Sequence, residues 1–121
     1  MKTDICPVET TLDLIGGKYK ALILWHLAEG TLRYSELQKA VQAATPRVLT
    51  NQLREMESQK LITRTVYPVV PPKVEYSMTE LGRSLMPILT AMRDWGTQYL
   101  RSQSIEPNCY MMDNGESCCK G

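Results

Sequence analysis

Arg47, Thr50, Asn51 and Arg54 stand at i, i+3, i+4 and i+7 in the run from Pro46 to Gln59. That spacing lines residues along one side of an α-helix. Their chemistry matches the edges of base pairs: arginine can donate two bonds to guanine O6 and N7, and asparagine can bond adenine N6 and N7. A plain solvated helix face has the same composition, so the neighbouring segments decide. Thr45-Pro46 precedes the run. Threonine is a helix N-cap type, and proline suits the first helical position because its missing N–H is one the helix start leaves unpaired.

Other reactive side chains are few. Cysteines stand at 6, 109, 118 and 119, and His26 is the only histidine. Cys6 precedes Pro7 at an expected helix start, where the positive end of the dipole favours the nucleophilic thiolate. The other reading of Cys6 is a small buried apolar residue. Cys118-Cys119 has three readings: a vicinal disulfide, a trap for Cys6 of a second copy, or no role. A metal site built from Cys109, Cys118, Cys119 and either Cys6 or His26 lacks ligand spacing, and no metal or other cofactor is expected. No Ser, Asp or Glu constellation accompanies His26, which is expected in the core or at an interface. Gly16-Gly17-Lys18 lacks the Gly-x-x-x-x-Gly-Lys frame of a phosphate loop. A thiol enzyme would need an activating base that the chain does not offer, so no enzyme is expected.

These residues must be positioned by the elements around them. Val8, Leu12 and Ile15 mark one face of a short first helix, which Gly16-Gly17 should end through the left-handed conformation that glycine accepts. Lys18 to Glu29 is apolar on most sides and belongs in the middle of a core. Thr31-Leu32-Arg33 reads as a very short strand, and Ser35 as the cap of a helix from Glu36 to Val41. On the helix from Pro46, the residues Leu49, Leu53 and Met56 point inward. Two β-prone runs follow, Leu61–Tyr67 and Lys73–Met78, joined by Pro68-Val69-Val70-Pro71-Pro72. Thr79 caps a further helix. Pro87 either kinks it or lies in the first turn of a new one starting at Ser84. Leu85, Ile88, Met92, Trp95 and Tyr99 alternate by 3 and 4, the seam of a coiled-coil-like contact. A capped helix followed by a hairpin predicts a mainly α fold with a small β-hairpin wing (α+β), a winged helix-turn-helix. There the helix enters the major groove and the wing touches the backbone beside it.

The 121 residues, 43% hydrophobic and 22% charged, fit one domain with a modest core. Residues 1–101 are expected to form it, with dimerising terminal helices, and 102–121 a cysteine-bearing tail. No apolar run approaches the roughly 20 residues that cross a bilayer, and no leader peptide is evident. A cytoplasmic protein without a membrane partner is expected. The net charge of +1 is uneven: residues 18–83 hold ten basic and six acidic side chains, residues 84–121 three and four. Ordinary surface charge explains this about as well as a nucleic-acid partner.

Cys6-Pro7, Gly16-Gly17-Lys18, Ile23-Leu24-Trp25, Arg33-Tyr34, Leu49-Thr50-Asn51-Gln52-Leu53-Arg54, Val66-Tyr67-Pro68, Pro71-Pro72-Lys73-Val74-Glu75-Tyr76 and Leu81-Gly82 occur in that order. On these strings the chain resembles the HxlR-type regulators, a branch of the MarR-like winged-helix transcription factors. The resemblance covers roughly residues 6 to 100, and the Pro-Pro-Lys-Val-Glu-Tyr string is its most specific part. It implies a homodimer on double-stranded DNA at a pseudo-palindromic operator. It also implies an electrophile or oxidant effector, since several members sense these through the cysteine at the position of Cys6; a small-molecule effector, aromatic in type, is the expectation for a pocket between core and seam. Tyr19 replaces a common tryptophan. Lys60 replaces the glycine that usually ends the recognition helix, so Lys60 must turn left-handed or the helix must end differently.

The expected DNA contacts are therefore Thr45, Arg47, Thr50, Asn51 and Arg54, with Arg33, Ser35, Lys18 and Lys73 reaching the backbone. Lys20 joins Lys18 as a backbone candidate, and solvated surface suits each lysine equally well. The expected dimer contacts are Leu12, Leu85, Ile88, Met92, Trp95 and Tyr99. The competing expectation is a winged helix used only for protein contact.

Overall fold

Thr45 and Thr79 each begin a helix by accepting a backbone N–H that the helix cannot bond itself. Thr45 Oγ1 accepts from Val48 N at 3.2 Å, and Thr79 Oγ1 from Gly82 N at 3.0 Å. They belong to a computed structural model that describes residues 5–17 and 19–107. In chain order the elements are α1 (Pro7–Ile15), α2 (Lys20–Leu27), β1 (Leu32–Arg33), α3 (Tyr34–Ala40), α4 (Pro46–Ser58), β2 (Ile62–Tyr67), β3 (Lys73–Met78), α5 (Glu80–Arg83) and α6 (Met86–Ser102).

The three strands form one antiparallel sheet in the order β1-β3-β2. The β2–β3 hairpin runs in register from Ile62↔Met78 to Tyr67↔Lys73. Leu32 pairs with Tyr76 and Arg33 with Glu75, which ties the start of α3 to the wing. The core is built around α2, whose Ile23, Leu24 and Leu27 are buried among Leu37, Leu49, Leu53, Met56, Leu61 and Leu89.

Lys60 takes the left-handed route, with φ 66°. Its N–H bonds Glu57 O and the Leu61 N–H bonds Met56 O, both at 3.0 Å. This pair of bonds is a Schellman close, which satisfies the last carbonyls of α4. The single Thr79 hydroxyl proton lies between the Lys60 and Leu61 carbonyls, with Oγ1 at 2.6 and 3.0 Å from them. The exit of α4 into the wing is thereby anchored from two sides.

Four expectations are corrected. Gly16 is right-handed at φ −81°; the residue is needed because a β-carbon there would collide with the Leu12 carbonyl oxygen. Ser35 is not a cap. Helix α3 starts two residues earlier, at Tyr34, with Arg33 as N-cap, and the Glu36 carboxylate accepts from Arg33 N at 2.9 Å. Pro87 sits in the first turn of a separate helix that begins at Met86, not Ser84. Leu85 is 8% exposed and belongs to the chain's own core rather than to an outer seam, because it lies before the first turn of α6, where the chain still packs inward.

Candidate nucleic-acid interface

Helix α4 buries Leu49, Leu53 and Met56. At 3.6 residues per turn the opposite arc is fixed, and it carries Arg47, Asn51 and Arg54, all exposed. Their side chains make no hydrogen bond or ion pair to any other described residue. Unpaired donors on a rigid, capped helix are what base edges and phosphates require. Thr50 is half-buried and turns toward the wing, its hydroxyl 3.3 Å from Tyr34 Oη, which is itself 3.2 Å from Pro46 O. Both contacts are long for hydroxyl bonds.

Between α4 and the sheet lies an open cleft of about 410 Å³, lined by Tyr34, Thr50, Arg54, Glu57, Arg64, Val74 and Tyr76. Arg64, opposite Tyr76 in the hairpin, was not among the expected contacts. The available signal was an arginine on the solvent side of a wing strand, but its convergence with Arg54 needs the strand register and the seat of α4 on the sheet.

The charges nearer the wing tip are less free. Lys73 Nζ lies 3.2 Å from Glu75 Oε2 and 5.2 Å from the centre of the Tyr67 ring. The bond from Lys73 holds the Glu75 carboxyl below its ordinary value against the opposing effect of burial, with help from Tyr67 and from Arg33 across the ladder. The tip itself, Pro68 to Pro72, has no charged side chain, and Val70 stands fully in solvent. Arg33, Ser35 and Lys73 do share one open cleft beside the wing, of about 550 Å³. Lys18 lies outside the described residues.

Lys20 departs most from expectation. It is 2% exposed and so cannot touch DNA. Its ammonium lies 2.6 Å from Glu55 Oε1 and donates to the Asp13 carbonyl at 3.1 Å. His26 is half-buried on α2, where burial pushes its imidazole below the ordinary value, opposed by Glu29 and by a bond to the Ala40 backbone.

Helices α1 and α6 expose apolar side chains. Leu12 is 56% exposed, Met92 50%, Trp95 70% and Tyr99 52%, with Ile88, Val8 and Ile5 beside them in the exposed class. The Trp95 and Tyr99 rings stack at 5.4 Å. Cys6 caps α1 by position only: it is exposed and its side chain makes no cap bond. The readings that involve Cys109, Cys118 and Cys119 fall outside the described residues. No described helix is long and apolar enough to cross a membrane.

A capped helix with an unpaired Arg–Asn–Arg stripe, seated beside a two-stranded wing, defines a winged helix-turn-helix of the DNA-binding regulator class. The chain belongs to the HxlR-like helix-turn-helix family, whose model matches residues 14–104. It is 55% identical over 94 residues to YdeP of Bacillus subtilis (strain 168), an uncharacterized HTH-type transcriptional regulator, across 78% of this chain and 73% of that protein. The redox regulator HypR in its oxidized form is 50% identical with a TM-score of 0.72, over 75% of this chain and 94% of that one. The reduced form of the transcriptional regulator YodB from B. subtilis is 30% identical with a TM-score of 0.69, over 79% and 95%. These relatives are regulators of transcription, not enzymes, and this chain is a DNA-binding transcriptional regulator.

Proposed function

We propose that the chain works as a homodimer on a pseudo-palindromic operator, with residues 1–101 as the DNA-binding and dimerising unit and 102–121 as a tail. One observation carries the reading: Arg47, Asn51 and Arg54 are unpaired on the outer arc of α4, while the inner arc is buried. Asn51 and Arg54 read bases. Thr45, at the α4 N-terminus, and Arg47 contact phosphate. Arg64 joins Arg54 at the cleft to grip the backbone that passes between helix and wing. Arg33 and Ser35 add backbone contacts beside the wing, and Lys73 contributes weakly because Glu75 shares its charge. The exposed face of Leu12, Ile88, Met92, Trp95 and Tyr99 meets the same face of a second copy. That pairing sets the two recognition helices about 34–36 Å apart, the spacing of successive major grooves.

Regulation acts on that spacing, through a small effector at the seam or through oxidant or electrophile attack on Cys6. The exposure of Cys6 at the start of α1, beside the apolar face, supports the thiol version, as do the redox forms in which HypR is described. Two measurements test these readings. Affinity for duplex DNA should fall with salt by about 0.9 log units per log unit for each phosphate contact; a flat profile contradicts DNA gripping. Oxidant should release DNA from the parent and not from Cys6→Ser; equal release rejects the thiol version.

A further inference from the structure

Among the described residues Lys20 is the one buried charged side chain, and it stands behind the recognition helix. Its ammonium joins three helices. It donates to Asp13 O, one of the carbonyls that the end of α1 leaves open. It opens α2, and it meets Glu55 of α4 at 2.6 Å. Glu55 follows Arg54 and so lies about 100° round the helix from it. On that flank Gln52, one turn earlier, packs so closely on Gly17 that a β-carbon there would lie 2.6 Å from Gln52 Oε1. On the opposite flank Thr50 faces Tyr34. Helix α4 is held at both edges of its exposed arc, and the charged hold is Lys20.

We propose that Lys20 is a positioning residue for DNA reading. By holding Glu55 it fixes the rotation of α4 about its own axis, and through Asp13 it locks that rotation to α1. The bases see Asn51 and Arg54 at the correct angle only while this pair is made. The inference rests on the base-reading role of α4 given above. It also links the recognition helix to the helix that carries Cys6 and Leu12, so a movement of α1 is passed to α4 through one ammonium.

The test exploits two effects of opposite sign. Glu55 is half exposed, and removing a carboxylate from a DNA-facing helix raises affinity for any duplex if charge alone matters. If the pair positions the helix, Glu55→Ala instead loses discrimination. A duplex enriched by the parent from a random pool is compared with a scrambled duplex of equal composition, at fixed salt and well below the melting temperature. Glu55→Ala should lower the selected-to-scrambled affinity ratio on the order of tenfold, the discrimination carried by one misaligned bidentate contact. Its affinity for the scrambled duplex should stay level or rise. Glu55→Gln, which keeps a neutral acceptor for the ammonium, should recover most of the ratio. Lys20→Met should reproduce the loss, and if it does not fold the Glu55 pair of variants decides. An unchanged ratio in Glu55→Ala overturns the proposal, whatever happens to its melting temperature. A parent that enriches no sequence overturns the base-reading role itself and this proposal with it, a result distinct from a parent and a variant that discriminate equally.

Discussion

Asn51, Arg54 and Arg64 make a natural set for separating base reading from backbone grip. Truncating Asn51 or Arg54 to alanine should cost about 1–3 kcal/mol on the operator and little on random DNA, where no base is read. Arg64→Ala should weaken both duplexes alike and flatten the salt slope by about one contact. Titrations on the two duplexes at several salt concentrations check this, and a uniform loss for Asn51→Ala would assign it to phosphate. Lys60 offers a stability test. A left-handed non-glycine costs about 1–2 kcal/mol, and glycine returns part of that gain to the unfolded chain. Lys60→Gly should therefore stabilise by about 0.5–1 kcal/mol in urea unfolding; a loss would mean that the lysine side chain makes contacts that outweigh the strain. His26 gives a pH dependence. Burial lowers its folded value below 6.5, so below that pH the unfolded chain binds more protons than the folded one. Its contribution is full above pH 6.5 and is lost as the pH falls toward the folded value. The melting temperature should drop more steeply on acidification in the parent than in His26→Gln, and equal slopes would contradict this.

Helix α4 was legible because its signals are local. Thr45, Pro46 and the Leu49/Leu53/Met56 stripe act within two or three turns, and the strand boundaries at Tyr67 and Lys73 follow from the proline-rich turn between them. Lys60 was legible as a departure, since its type conflicts with the turn that the helix end requires. What failed depended on distance. Lys20 looks like a surface residue until Glu55, thirty-five positions on, closes over it. Arg64 becomes part of a cleft only through the β2–β3 register. Leu85 fits the 3–4 alternation of α6, but the alternation does not say where the helix leaves the core. The α4 cap has its own test: Thr45→Ala removes the acceptor for Val48 N and should cost about 1 kcal/mol. Chemical unfolding reads that cost, and an unchanged midpoint would show that water replaces the hydroxyl freely.

At the scale of the whole molecule, α1 and α6 expose six large apolar side chains, Val8, Leu12, Ile88, Met92, Trp95 and Tyr99. Exposed apolar surface marks an interaction site where it forms one large patch, and the stacked Trp95 and Tyr99 rings are the centre of such a patch on α6. Trp95→Ala, or a charge at Met92, should move the particle mass toward that of one 13.7 kDa chain and weaken operator binding, because two half-sites are then no longer held together. Light scattering reads the mass, and an unchanged value would place the contact elsewhere. In the proposed dimer, a two-fold axis through this face turns one recognition helix into a pair. The measurement that bears most directly on this is enrichment of binding sites from random duplex DNA by the full chain. An inverted repeat with half-sites about 10–10.5 base pairs apart, lost in Asn51→Ala, is the expected result. A single half-site, or no enriched motif, would contradict it.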